Sequence, residues 1–466
     1  MKPHPLFLLL LPLILTIADF ASAAPTPIAS TAPSLPRPVV LVRSGWQTVN
    51  IGDIAHTPGL LTLLQKFTPQ ADLILWPMNI DEHGAEAMIR HYFPGLPIVQ
   101  GRITDGQPDT PELRDAFTRA DLLLYSSAPE LHVAARDVPI WRALNPQKPY
   151  GFYGITIDRQ SLFARITNRK PLDTSERDIL DHASFVLCRE TTTLDYLKRE
   201  NIRAPLLDFT PDAVFGVNQY DTTRATAWLR EKNLQPGRYI CVIPRTRFAP
   251  YYKMQQRPPT ENDLRREAYN AEHTSTDLGK LRDTITRWIR QTRLPVIVCP
   301  EMLFEVELSK TEIINKLPDD VRPLAVWKNT WWLPDEAAAI YRNAIALLSM
   351  ECHSPIIAIA AGTPALYLRT PTETSKGQMW SDIGLGDWMI DLDSSSTTGE
   401  TLAAELLRIH KTPTTTRAKL ACAMSLVTRR QQEALHLILG RTELARARPA
   451  STNEQRSGLL HRQTAR

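Results

Sequence analysis

The sequence predicts an α/β protein of two Rossmann-like domains facing a cleft, and three observations carry that expectation. Apolar runs of strand length alternate with helix-length mixed segments, the pattern of a parallel sheet covered on both faces. The alternation comes in two successive series, separated by the turn signal Gln235-Pro236-Gly237. At 466 residues, with 43% apolar and 22% charged, the chain exceeds what one core usually covers and is not disordered as a whole.

The N-terminus carries Lys2, an apolar run from Leu6 to Ile17, and Ala21-Ser22-Ala23, the three parts of a secretory signal peptide cleaved after Ala23. The run is shorter than the roughly 20 residues that span a bilayer; a short uncleaved anchor, and with it membrane proximity, is the alternative. Ala24 to Arg37, rich in Pro, Ser, Thr and Ala, reads as a flexible leader. The net charge of +4 is accounted for by the segment from Arg441 to Arg466, with its six arginines and two glutamates. The body is then near neutral, and nucleic acid is not an expected partner. That last segment is expected to be a disordered basic tail. The five cysteines are odd in number and widely spaced, mostly in or at the ends of apolar runs, which suits buried thiols rather than a disulfide framework. Neither a C-x-x-C nor a His/Cys cluster of zinc spacing occurs, so no metal is expected.

The first domain is expected over residues 38–217. Pro38 to Val42 reads as its first strand. A loop with Gly45 leads to Asn50-Ile51-Gly52-Asp53, and Thr57 to Leu64 forms a helix, with loop amides aimed at a ligand. The alternative for Asp53 is a plain helix cap. Further strands are expected at Ala71 to Trp76, Leu122 to Tyr125, Gly151 to Thr156 and Phe185 to Leu187. Cys188-Arg189-Glu190 ends the last of these, and Thr210-Pro211-Asp212 follows. Arg189 is read as the structural partner of Glu190 or Asp212, and Asp212 as a residue near the interdomain cleft.

Residues 218–238 read as a linker and 239–440 as the second domain. Its expected strands are Tyr239 to Ile243, Pro295 to Cys299, Leu324 to Trp327, Ala344 to Met350 and Pro364 to Leu368. After the first come Arg245, an anion ligand, and Arg247, read as a solvated neighbour. The polar insertion from Ala249 to Glu272 carries Tyr251, Tyr252 and Tyr269, which could cover the cleft and stack on sugar rings; an ordinary surface helix and loop is the alternative. At Ser349 the chain turns through Glu351-Cys352-His353, Pro355 opens a small-residue helix, and Gly362 ends it. In an open parallel sheet, ligands bind beyond the carboxyl ends of the strands, so His353 is placed at a helix N-terminus in the binding region. Helices from Glu400 to His410 and Thr416 to Leu439 close the fold.

These stretches resemble the polysaccharide pyruvyl transferase family. Its corresponding turn reads Arg-Leu-His before an alanine-rich helix and Gly-x-Pro; His353, Gly362 and Pro364 match, while Glu351 and Cys352 replace arginine and leucine. The family's first strand is likewise followed by Asn-x-Gly-Asp, and its order of Arg-Asp/Glu, capped helix and Pro-Asp matches Arg189-Glu190 and Pro211-Asp212. Its Gly-Gly pair is replaced by Ser126-Ser127, which restricts the backbone there. An arginine after the first strand of the second domain matches Arg245, and a lysine before a Leu-Gly-Leu-like segment matches Lys376. The resemblance runs from about Val39 to Asp391 and implies a GT-B-like pair of domains.

Such enzymes move the enolpyruvyl carbon of phosphoenolpyruvate onto two sugar hydroxyls, giving a cyclic ketal and phosphate. The resemblance therefore implies a transferase with a saccharide or polysaccharide acceptor, phosphoenolpyruvate as donor substrate and no other cofactor. His353 and Glu351 stand at the catalytic positions; Asn50, Gly52, Asp53, Asp212, Arg245 and Lys376 are the expected substrate-binding residues. A histidine titrating near neutrality suits proton transfer. Glu351 opposes an anionic donor, since like charges about 4 Å apart repel by roughly 4 kcal/mol at an effective dielectric near 20. A neighbouring cation or protonation would neutralise it. Export also conflicts with a cytosolic donor, a conflict that a downstream start would remove by leaving the protein in the cytoplasm. The alternatives are an exported, noncatalytic glycan-binding protein on the same fold and a GT-B glycosyltransferase.

Overall fold

The computed structural model describes residues 36–127 and 131–447. The expected signal peptide, nearly all of the leader and the tail beyond Ala447 lie outside the described residues.

Two six-stranded sheets form the frame. The first contains β1 (Val39–Ser44), β2 (Asp72–Pro77), β3 (Leu122–Tyr125), β4 (Tyr150–Ile155), β5 (Phe185–Cys188) and β6 (Leu207–Phe209), in the order β2-β1-β3-β4-β5-β6. The second contains β7 (Ile240–Ile243), β8 (Val296–Val298), β9 (Ala325–Trp327), β10 (Leu347–Ser349), β11 (Ala365–Arg369) and β12 (Met389–Asp391), in the order β9-β8-β7-β10-β11-β12. All neighbours in both sheets run parallel. The second sheet thus has the Rossmann order 3-2-1-4-5-6, and two Rossmann-like domains are what the chain forms. Central strands such as β3, β4 and β10 are buried along their whole length, which is why they read as unbroken apolar runs. The edge strand β12 was not anticipated, because it is short, half exposed and has no apolar run to announce it.

The polar insertion is mostly helix. Thr260 and Asp263 form a capping box that opens a 32-residue helix, Glu261–Thr292, behind a single turn at Tyr251–Met254. The last helix, Pro413–Ala447, continues past Gly440, the expected end of the domain. It returns across the first half: Leu435 and Ile438 enter the core there, and Gln431 donates to the carbonyl of Asp212 at 3.1 Å.

The halves also meet directly. Residue 50 pairs with Met302 as an isolated antiparallel bridge, the Ile51 amide donates to the Glu301 carbonyl at 3.0 Å, and the Leu303 amide donates to the Val49 carbonyl at 2.9 Å. Across another part of the seam, the Thr191 amide and hydroxyl each donate to the Asp382 carboxylate at 2.8 Å. Among the described residues, no helix is long and apolar enough to cross a membrane.

Candidate active site

Ligands of open parallel sheets bind where the strand order reverses. In the second sheet that point lies between β7 and β10, whose carboxyl ends lead to Arg245 and to Glu351 and His353. The neighbouring strands β8 and β11 lead to Glu301 and to Glu373 and Lys376. The reversal in the first sheet lies between β1 and β3, which lead to Asn50 and to Ser126-Ser127.

His353 is the first residue of the helix His353–Ala360 and is 3% exposed. Its Nδ1 lies 3.5 Å from Oε1 of Glu301, and its Nε2 is buried without a hydrogen-bond partner. Burial lowers its pKa well below the usual histidine value, with Lys376 and His56 adding to the effect, so the ring is neutral at pH 7. The ring of His56 meets it edge-on, with centroids 5.0 Å apart. Nδ1 of His56 lies 3.1 Å from Oδ1 of Asp212, whose Oδ2 accepts from Arg189 at 2.8 Å. All four side chains are buried. Burial pushes the Asp212 carboxyl up, but His56 and Arg189 overcome it and hold it well below the carboxylate range. His56, Asp212 and His353 form a group that could hold a metal ion, with one ligand atom of each within 4.8 Å of the others. Sequence spacing gave no sign of that group, because its members come from three separate elements.

The second cluster surrounds Arg245. Its Nε lies 3.0 Å from Oε1 of Glu351, and its Nη1 lies 4.0 Å from Oε2 of Glu373. Glu305 is fully buried and accepts from the amides of Glu301 at 2.8 Å and Met302 at 3.0 Å. Burial raises the pKa of Glu351 to about 7, with Arg245 opposing and Glu301 reinforcing the shift. Burial likewise raises Glu373 to about 8, against the pull of Arg245. Glu305 stands well above the carboxylate range through burial and the charge of Glu351. Burial alone would lower the pKa of Arg245, but Glu351 and Glu373 reverse this and keep it cationic. A count of formal charges therefore overstates how negative the cluster is near pH 7.

Several expected residues take different parts. Asn50 caps the helix Ile51–Phe67: its side chain accepts from the amides of Gly52 at 2.7 Å and Asp53 at 3.3 Å. The helix thus begins earlier than Thr57, and Asp53 is not its cap. With the Ile51 amide bound to Glu301, the first amides are consumed and are not aimed at a ligand. Gly52 has a packing reason: a Cβ there would stand 2.4 Å from the His353 ring. Asp53 accepts from Gln47 and lies 3.9 Å from Nε2 of His56. Lys376 lies half-buried in a short turn, and its charge acts on Glu351 and His353.

Arg189 is the structural partner of Asp212. Arg247 is not solvated: it is 6% exposed and bound to Asp277 at 2.7 Å and to Asp393. Of the three tyrosines, Tyr251 approaches the site, with Gln47 donating to its hydroxyl at 3.4 Å. Tyr269 instead stacks on His273, and Tyr252 sits by Lys253 and Glu267. Four buried residues of these clusters, His56, Glu301, Glu305 and Glu373, were missed. Reading the residues after the carboxyl end of every strand would have found Glu301 and Glu373, and His56 lies one helical turn beyond Asp53.

No curated protein matches this sequence. Solved structures with a similar fold include a UDP-N-acetylglucosamine 2-epimerase from Listeria monocytogenes, described as putative, at 13% identity and a TM-score of 0.51, covering 89% of this chain and 99% of that one. The UDP-GlcNAc 2-epimerase from Neisseria meningitidis bound to UDP-GlcNAc has 8% identity and a TM-score of 0.51, covering 86% and 100%. The S. aureus MnaA-UDP co-structure has 9% identity and a TM-score of 0.52, covering 89% and 99%. At such identities the likeness shows the fold alone, which is GT-B-like. The family model for polysaccharide pyruvyl transferase matches residues 50–370, from the cap of the first helix to just past the end of β11, and so takes in His56, Asp212 and His353 together with Arg245, Glu301, Glu305 and Glu351, while Glu373 and Lys376 follow just after it. This chain belongs to the polysaccharide pyruvyl transferase family, and its general class is that of a polysaccharide-modifying transferase.

Proposed function

We propose that the protein transfers a pyruvyl group from phosphoenolpyruvate to two hydroxyls of a cell-surface polysaccharide or its precursor. The observation that carries this reading is the unpartnered Nε2 of neutral His353, in the same seam as the Glu351–Arg245 pair. His353 takes a proton from an acceptor hydroxyl, and protonated Glu351 supplies one to the methylene carbon of the donor. Two carbon–oxygen bonds form, the bond to phosphate breaks, and the second hydroxyl proton leaves with the phosphate. Arg245 and Lys376 are the cations for the donor. With Glu351 and Glu373 protonated, the charge of Arg245 turns to the donor, which answers the electrostatic objection to a glutamate in this turn.

Phosphate release and a ketal methyl signal by NMR, from protein, phosphoenolpyruvate and candidate saccharides, test the reading. Wild type should give both, and His353→Gln neither, with its circular dichroism unchanged. A second reading is a noncatalytic glycan-binding protein, favoured by the commitment of Arg245 to two carboxyls. Saccharide binding without phosphate release would establish it and overturn the first. Export belongs to both readings, on the strength of Leu6 to Ile17 and Ala21-Ser22-Ala23; cell fractionation tests it, and a cytoplasmic protein would remove it.

A further inference from the structure

We propose that His56, Asp212 and His353 bind a divalent transition-metal ion of the zinc class, which clamps the two halves of the protein together. His56 and Asp212 belong to the first half and His353 to the second. In a tetrahedral zinc site with arms of about 2.0–2.1 Å, neighbouring ligand atoms lie roughly 3.3 Å apart. Nδ1 of His56 and Oδ1 of Asp212 already stand 3.1 Å apart. Yet this contact is poorly aligned for a hydrogen bond, and Nε2 of His353 has no partner at all. Two buried imidazole nitrogens thus go without a well-aligned partner, and His56, Asp212 and His353 each bring one ligand atom within 4.8 Å of the others. A proton relay would explain the same juxtaposition only with well-directed hydrogen bonds, and the contact of His56 Nδ1 with Asp212 is poorly aligned for one. An ion would satisfy all three atoms after shifts on the order of 1 Å.

The outward-facing atoms already have the partners that metal ligands use to fix their orientation. Nδ1 of His353 faces Glu301 at 3.5 Å, Nε2 of His56 faces Asp53 at 3.9 Å, and Oδ2 of Asp212 accepts from Arg189 at 2.8 Å. Two imidazoles and one carboxylate suit zinc, cobalt or ferrous iron, whereas calcium and magnesium favour all-oxygen sets. One consequence rests on the proposed function: metal on Nε2 of His353 occupies the lone pair that would accept the hydroxyl proton, so the metal-bound form is inactive. The binding itself does not rest on that reading.

The test uses the metal-stripped full chain, titrated with Zn²⁺ by calorimetry and with Co²⁺ by visible absorption. One equivalent should bind, Co²⁺ should develop d–d bands, and the melting temperature should rise with metal concentration. Glu301→Gln, which removes an outer partner, should weaken binding by about 10- to 100-fold, and His56→Gln by more. If His56→Gln fails to fold, Glu301→Gln carries the test. Wild type without saturable binding, or both variants binding as wild type does, would overturn the proposal. Since the titrations measure no turnover, a failure here leaves the transferase reading intact, and a failure of transferase activity leaves the metal site intact.

Discussion

Glu351 and Arg245 act as one group, because Glu351 is buried and the half-buried guanidinium of Arg245 lies 3.0 Å from it. Glu351→Arg, which would restore the residue expected at this turn, would place two guanidinium groups where one carboxyl and one guanidinium now meet. Breaking a buried pair costs about 3–5 kcal/mol; with Arg245 half-buried the cost is smaller, so at about pH 8, where Glu351 with its folded pKa of about 7 is mostly ionised, this variant should lose stability in urea denaturation, while Glu351→Gln should lose less. Equal stability of Glu351→Arg and wild type would mean that Arg245 turns away from the seam.

The same carboxyls set a pH dependence. Glu373 at about 8 and Glu351 at about 7 hold protons in the folded state that they lose in the unfolded chain. Their stability is present below the usual carboxylate value and is lost as pH rises through these folded values. His353 works in the opposite direction, but only up to the ordinary histidine pKa near 6.5. Between about pH 7 and 8.5 the raised carboxyls dominate, with Glu190 at about 7 and Glu305 acting in the same direction as Glu351 and Glu373, and stability should fall by more than about 1 kcal/mol. Thermal melts across this range check it, and Glu373→Gln should flatten the slope. Stability that rises over the window would mean that these carboxyls are ionised in the folded protein.

Helix Ile51–Phe67 connects the sheet of the first half to the seam, and its position depends on close approach of backbones. A Cβ at Gly59 would stand 2.2 Å from the carbonyl oxygen of Ala213. Gly59→Ala gains roughly 1 kcal/mol of helix propensity, but overpacking costs about 1–3 kcal/mol. Since the obstacle is main chain, the cost should dominate, and chemical denaturation should show a net loss. A stabilised variant would show that the helix can move away from Ala213. The sequence made the buried strands legible because residues apolar on both faces form unbroken runs, as at Leu122–Tyr125. His353 was legible because strand, turn and helix are contiguous there. The partners of His353 were not, because Glu301 reaches it from 52 positions away and Asp212 from 141, separations that no local periodicity records. The Asn50 cap was hidden for a different reason: Pro58 and Gly59 obscured the early start of the helix.

At the scale of the whole molecule, the two halves are tied by more than the seam. The chain leaves the second half through the helix Pro413–Ala447, whose Leu435 is fully buried in the core of the first half, while Leu420 and Val427 pack in the core of the second. One helix therefore serves two cores, and neither can melt without exposing part of its apolar face. The bridge at Met302 and the contacts of Thr191 with Asp382 add a second tie. Leu435→Ala leaves a cavity and should cost about 2–5 kcal/mol. If the ties couple the halves, calorimetry should show one transition in wild type, and the variant should shift that whole transition to lower temperature. Two resolved transitions, with only one displaced by Leu435→Ala, would show that the halves unfold separately and that the helix detaches from the first half at little cost to the second.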